Sequence, residues 1–418
     1  MATTVNTYLN IDMITLEALA VLENELTFTR QIPRKYDSYF AESGAKIGDR
    51  LRVRKPIRNR VRVGQGWQPQ AIQEQYTDVI LTTQAGVDCE FSTADMTLRI
   101  DEFSDRILKP QIAQIGNYVD DQGLQLAILT NMAVGTPGVS ITAPATYILA
   151  GTKMKEAAAP LGNWKMCVNP AQEGAISNGV LSFFNPVKEI TEAYKKGIMG
   201  TAFAFEWYMD QNVFTHTVGT VAGSTPIVTT ANQSGSSIAT SGWAASTVVL
   251  KKGDVVQFAD TKMVNPQNYR STGRLMDFVI TADVTSDGAG LATLPIYPPL
   301  IPPATAPAVD PYQNVTRSPA ASAAITVFGV GAAALGSISG VDTPTALGFV
   351  PEFATLVAAD LYKPNGVDMA ARKSDSQVGL SIRYIRVYDG ITDQLISRFD
   401  ILFGWALLRW ELACRVQS

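Results

Sequence analysis

The period of the apolar positions changes several times along the chain, and each change marks an element. Near the start, Ile14, Leu16, Leu19, Leu22 and Leu26 recur at near-helical spacing, which predicts an amphipathic helix over 12–28 on a short polar arm. From Ile47 to Val63 the period falls to two. Arg50, Arg52, Arg54, Arg58, Arg60 and Arg62 alternate there with Leu51, Val53, Ile57, Val61 and Val63, the signature of an extended ribbon. The turn-rich GQGWQPQ stretch (64–70) and a second β-rich run, Tyr76 to Thr83, follow. The ribbon therefore returns on itself as a long hairpin-like excursion from a body.

Helical periodicity resumes between Thr97 and Asn131, where Pro110 suits a first helical position and Ile112, Ile115, Val119, Leu126 and Leu129 stand behind it. Gly116 and Gly123 each weaken this helix by about 1 kcal/mol relative to alanine unless close packing needs them. A second helix is predicted over 145–159. NWKMCVNP then reads as a buried strand ending at a turn, and NPVKEITEAYKKG as a third helix with Asn185 as N-cap, Pro186 at N1 and Gly197 as its stop.

From Val218 to Ser246 the chain carries no charged residue, which marks a boundary. Beyond it, TVVLKKGDVVQFAD and RLMDFVITADVTSDGAGLATLPIYPPL are strand, turn and strand in succession, a small β-barrel or sandwich. YPPLIPPATAPAVDP is a surface connection, since proline neither continues a helix nor sits in a central strand. After Gly348 a mixed α+β pattern returns. GLSIRYIRVYDG and LISRFDILFGWALLRWELACRV are long apolar strands, central in a sheet.

Composition narrows the classes. The chain has 418 residues, enough for two or three structural units. Only 17% of them are charged, against roughly 25% in a typical soluble domain. A low-charge exterior fits a protein that covers much of its surface with other subunits. The formal net charge of −4 excludes a globally basic nucleic-acid coat. Cys89, Cys167 and Cys414 lie far apart, which argues against a disulfide framework and a zinc site and favours a reducing compartment. The first 25 residues lack the basic start of a secretory signal, and the most apolar run, Ala323 to Leu335, is interrupted by Gly329 and Gly331. A soluble protein is expected, with no membrane partner.

Catalysis has little to stand on. His216 is the one histidine, without a flanking nucleophile, and no GxSxG, HExxH, phosphate loop or calcium loop is present. No cofactor or metal is expected, and the chain does not look like an enzyme. The aromatic residues Phe203, Phe205, Trp207, Tyr208, Phe399, Phe403, Trp405 and Trp410 are expected in cores. The arginine ladder is the strong charge feature, with eight basic residues from Lys46 to Arg62 against one acidic, Asp49. Three readings stand: it neutralises phosphates, it reaches acidic patches on neighbouring copies, or it is a solvated edge face. The second is preferred because only Trp67 and Tyr76 lie near it, whereas single-strand binding interleaves aromatics with cations. Asp101, Glu102 and Asp105 are candidate acidic partners, or helix-start residues favoured by the dipole.

The order of parts, with GQGWQPQ in the excursion, WKMCVNPAQ and EAYKKG in the middle, KKGDVVQFAD in the β module and VGLSIRYIRVYDG near the end, resembles the major capsid proteins of tailed double-stranded-DNA bacteriophages. More narrowly it is similar to short-tailed-phage coat proteins. That resemblance implies an α+β, Hong Kong 97-type capsid fold with an inserted β-barrel domain: an N-terminal arm (1–45), an extended β loop (46–96), a peripheral-domain spine helix (97–135), an axial and peripheral core (136–214 and 346–418) and the insertion (215–345). It implies a structural protein whose copies form pentamers and hexamers of an icosahedral virion capsid, assembled in the host cytoplasm with a scaffolding protein. A portal protein would be a further partner, and packaged double-stranded DNA would meet the inner face without sequence specificity. Intersubunit contacts would come from the extended loop, at Arg50, Arg52, Arg54, Lys55, Arg58, Arg60, Arg62 and Trp67. The insertion's PPLIPPATAPAVDP run departs from the pattern. An encapsulin-like shell of a cellular compartment shares the fold, and a monomeric β-rich binding or adhesion protein is the alternative outside assembly. If the ladder joins copies, charge reversal at Arg52 and Arg54 should cut shell yield in electron micrographs while the isolated subunit keeps its circular dichroism; normal yield would remove the ladder's role.

Overall fold

A computed structural model describes residues 15, 18, 22, 26–33, 50–62, 64–67, 69–70, 72, 74–92, 109–180, 201–221, 224–304, 310–329, 340–374, 380–392 and 394–418. The third predicted helix (185–197) and the acidic turn at 101–105 lie outside them. In chain order the early elements are β1 (Arg50–Arg54), β2 (Tyr76–Ile80), β3 (Thr83–Ser92), α1 (Lys109–Gln125), β4 (Ala133–Gly135), α2 (Pro144–Glu156), β5 (Trp164–Val168), α3 (Pro170–Val180), β6 (Thr201–Ala202), β7 (Phe205–Met209) and β8 (Thr215–Thr217). The β-rich middle holds β9 (Ile227–Val228), β10 (Gly235–Ser241), β11 (Val248–Leu250), β12 (Val255–Val264), β13 (Ser271–Ile280), β14 (Val284–Thr285), β15 (Ala292–Leu300) and β16 (Ile325–Val327). The chain ends with β17 (Asp342–Phe349), β18 (Ala354–Ala358), β19 (Met369–Ser374), β20 (Ser381–Asp389), β21 (Gln394–Leu407) and β22 (Ala413–Gln417).

These elements form two compact units. The first comprises Met1–Lys55, Tyr76–Leu124 and Ala354–Leu408. Its sheet is organised by β21, which pairs antiparallel with β3, β20 and β18, while β19 pairs with β20. Alternation along β21 puts Phe399, Ile401 and Phe403 on one buried face. That face packs on Ile112, Ile115 and Val119, one stripe of α1, and on Ala18, Leu22 and Leu26. Thr15, Ala18 and Leu22 are helical and buried, so the N-terminal helix turns inward a stripe that includes Thr15 and Ala18. The predicted Ile14, Leu16 and Leu19 are not among the described residues. Where that segment meets α1, the buried Asp120 carboxylate accepts the backbone N–H groups of Thr27 (2.7 Å), Phe28 (3.1 Å) and Thr29 (2.9 Å). Desolvation is the larger influence and pushes the Asp120 carboxyl above its ordinary range, against those hydrogen bonds.

The second unit comprises Pro56–Gln75, Gln125–Phe353 and Arg409–Ser418. A seven-stranded sheet runs β4-β22-β17-β5-β7-β6, with β8 also on β17; the β4–β22 and β5–β7 pairs are parallel. Tyr147 of α2 meets Trp207 at a centroid distance of 4.9 Å, and Trp164 meets Phe205 at 5.5 Å, so these aromatics are core as expected. Sequence reasoning ended WKMCVNP at a turn and missed α3. The helix starts there because Asn169 Oδ1 accepts from Gln172 N (2.7 Å) while Gln172 Oε1 accepts from Asn169 N (3.3 Å), a reciprocal cap spelled by NPAQ.

Between β8 and β17 the chain forms a six-stranded sheet in the order β16-β12-β13-β15-β10-β9. Its two ends join through Val228 N to Ala323 O (3.0 Å), Ser322 N to Val228 O (2.8 Å) and Ile325 N to Pro226 O (2.9 Å), closing the sheet into a barrel. Phe258 and Phe278 fill it, at a centroid distance of 5.4 Å.

The helix-weakening glycine at 123 has a packing reason. A Cβ there would lie 2.7 Å from the Trp405 ring and 2.9 Å from Phe28. Overpacking costs about 1–3 kcal/mol and alanine returns about 1 kcal/mol of helix propensity. Gly123→Ala is therefore expected to lower stability by up to about 2 kcal/mol in urea unfolding; a raised midpoint would refute the packing account.

Candidate functional site

The arm begins as a two-stranded hairpin in the first unit, with Arg50 opposite Ile80 and Arg54 opposite Tyr76. Val53 and Val79 turn inward against Val357 and Ala406, which sends the arginines of β1 outward. Gly404 permits this seat, because a Cβ there would strike the Ile80 carbonyl. Arg50 and Arg52 share Asp78 at 3.2 and 3.3 Å, with side chains 54% and 63% exposed. Pairs so open to water contribute about 0–1 kcal/mol.

The predicted ribbon continues to Val63, but strand pairing stops at Arg54. Pro56 lacks the N–H a ladder needs, and the residues described from Lys55 to Gln75 form no strand. Side chains replace the ladder there. Arg60 N donates to Gln70 Oε1 (2.8 Å) and Gln70 Nε2 donates to Arg60 O (2.7 Å). Arg58 pairs with the carboxylate of Glu411 and lies 5.9 Å over the Tyr312 ring. Arg60 stacks 4.1 Å over Tyr269, donates to the Asp310 carbonyl (3.4 Å) and hydrogen-bonds Gln313 Oε1. Arg62 donates to the carbonyls of Gly64 and of Gly66 (2.9 Å). Arg54 and Lys55 also have interactions. Trp67 is 95% exposed, Val61 92% and Ile72 71%.

Where the barrel meets the seven-stranded sheet, several polar groups are buried and hydrogen-bonded across the junction. His216 Nε2 lies 2.8 Å from Asp254 Oδ1, and Asp254 Oδ2 accepts from Lys251 N (2.7 Å) and Gly219 N (3.1 Å). Lys153 Nζ lies 2.6 Å from Asp277 Oδ2 and donates to Ala133 O (2.7 Å), while Gln257 Nε2 donates to Asp277 Oδ1 (2.6 Å). The guanidinium of Arg415, fully buried, donates to Gly253 O (2.8 Å), and burial pushes its pKa down to about 10. The histidine thus serves a carboxylate that is already occupied by backbone donors, the geometry of a structural pair. Among the described residues no group of His, Cys, Asp and Glu could hold a metal ion. A cleft of about 180 Å³ bordered by Ser140, Gln172, Asp342 and Ser418 is small against the roughly 300–1,000 Å³ of ligand sites.

A family model described as P22 coat protein, gene protein 5, matches residues 85–415. The chain belongs to the P22 coat protein family. It is a structural major capsid protein of a bacteriophage, many copies of which build the icosahedral shell of the virion, and it is not an enzyme. No curated protein matches it. Among solved structures, that of Mycobacterium phage Che8 is similar with a TM-score of 0.49 at 9% identity, over 94% of this chain and 90% of that one. The bacteriophage PhiM1 mature capsid gives 0.41 at 10%, over 89% and 82%. The CUS-3 coat protein I-domain gives 0.21 at 23%, over 26% of this chain and 98% of that one. These likenesses are loose, and the family match carries the assignment.

Sequence spacing found only one side of the arm's interactions within the chain. The ladder's cations were legible by alternation. Their partners Asp78, Glu411, Tyr269 and Gln313 were not, because Glu411 is 353 residues from Arg58 and Gln313 is 253 from Arg60. Lys153 and Asp277 carried no local signal either. Removing one partner of so buried a pair costs about 3–5 kcal/mol. Lys153→Met should lower unfolding free energy by about that much in urea titration, and a change under 1 kcal/mol would show Asp277 to be held by its other donors alone.

Proposed function

We propose that this coat protein uses the Hong Kong 97-type plan: residues 1–45 as the N-terminal arm, 46–96 as the extended loop, 97–135 as the spine of the peripheral domain, 136–214 with 346–418 as the axial and peripheral core, and the closed barrel within 215–345 as an inserted domain. Pentamers and hexamers assemble in the host cytoplasm around a scaffolding protein, with a portal protein at one site. The shell then encloses double-stranded DNA without reading its sequence. Within the shell the extended loop reaches a neighbouring copy through the segment that holds Arg50, Arg52, Arg54, Lys55, Arg58, Arg60, Arg62 and Trp67.

The observation that carries the loop's role is exposure. A tryptophan 95% open to water, close in sequence to Val61 and Ile72, costs solvation free energy that a partner surface recovers, roughly 1.5–3 kcal/mol for each large side chain it covers. The barrel supports the insertion reading, since it closes on itself between two strands of one sheet. Expression of the chain at high concentration, alone and with the neighbouring scaffold gene, followed by light scattering and negative-stain microscopy, is expected to give closed shells, tubes or spirals. A 45 kDa monomer under both conditions would overturn the assembly reading.

A further inference from the structure

We propose that Arg58 and Arg60 are an internal clasp that fixes residues 56–75 against the subunit's own barrel before any neighbour is met, rather than contacts to that neighbour. The inference deepens the extended-loop reading above and rests on it. Both arginines and all their partners lie in the second compact unit. Arg58 is 23% exposed and faces Glu411, whose carboxylate is 4% exposed and so needs a counter-charge at hand. Glu411 sits in the turn between β21 and β22, and the Tyr297 phenol on β15 is held un-ionised first by burial and then by the charge of Glu411.

Arg60 is gripped on several sides. Its plane stacks on Tyr269, which sits between β12 and β13; it bonds Asp310 at the end of the proline-rich connection and Gln313 just beyond it; and its backbone is bracketed by Gln70. Arginine suits such a seat, because a planar guanidinium stacks and donates in its own plane together. The contrast with β1 is large. Arg50 and Arg52, at 54% and 63%, keep most of their surface for another partner, whereas Arg58 has little left. The large apolar side chains the clasped loop leaves most open are Val61, Trp67 and Ile72, with the charged Arg62 and Glu74 exposed among them. The surface on the second copy that receives the tip therefore has an apolar patch for Trp67, and the clasp presents that tip already ordered, which lowers the entropy lost on contact.

The test uses the full-length chain in its unassembled form. Hydrogen exchange is followed peptide by peptide in the parent, in the double variant Arg58→Gln, Arg60→Gln, and in Tyr269→Leu, which opens the clasp from the other side. Exchange across 57–62 and 69–72 should quicken at least tenfold in both variants while the peptides of β12, β13 and β15 keep their parental rates. Unchanged exchange in the loop would overturn the clasp and return the arginines to the neighbour. Should the double variant fail to fold, Tyr269→Leu alone decides by the same criterion. Trp67→Ala leaves the clasp intact, so its loop should exchange at the parental rate while shell yield falls. A normal shell yield from Trp67→Ala would strike the extended-loop contact itself and leave the exchange result to stand as a property of the free subunit.

Discussion

Both units wait on the last 25 residues of the chain. β21 is the strand on which the first unit's sheet is paired on either side, and β22 lies between β4 and β17 in the second. Between them, the short turn at Trp410–Leu412 supplies Glu411 to the arm, and β22 carries Arg415 to the root of the barrel. The apolar alternation of LISRFDILFGWALLRWELACRV thus serves more than two cores, because its few polar residues face the places where separate parts of the chain are joined. A fold so arranged has high contact order: strands near residues 85 and 165 gain their partners or complete their sheets only when residues near 400 and 415 are in place.

Charge is scarce and is spent at joints. The pairs Lys153–Asp277 and Arg58–Glu411 each place a carboxylate at 4% exposure against a cation of another element. Such pairs gain little net stability over an apolar contact of the same shape, since both ions lose their water. What they do is penalise every other arrangement, because a misdocked barrel or arm would leave one ion buried alone. The remaining surface stays short of charge, which suits a subunit of a shell whose exterior is largely other subunits. Exposed Trp67 and Val61 on the arm follow the same logic.

A closed barrel between β8 and β17 meets a related constraint. Sheets expose edges that pair with any available strand, a hazard for a protein held at high local concentration in an assembling shell. Joining β9 to the strand region before β16 covers that edge in the six-stranded sheet.

Local chemistry decided much. Period-two arginines gave the outward face of β1, the isoleucine and valine stripe gave the buried face of α1, the charge-free run and turn signals gave the barrel's place, and the order of these parts gave the family. The chain alone could not say that Gly123 exists for Trp405 and Phe28, that β1 ends at Arg54, or that NPAQ opens a helix whose cap needs two side chains to meet. Nor could it say where the ladder's charges go. Alternation is a property of neighbours in sequence and survives in the string of residues. The partner of Arg58 is set by loop closure across 353 positions, and only the tertiary structure brings that carboxylate, stripped of water, to the arginine.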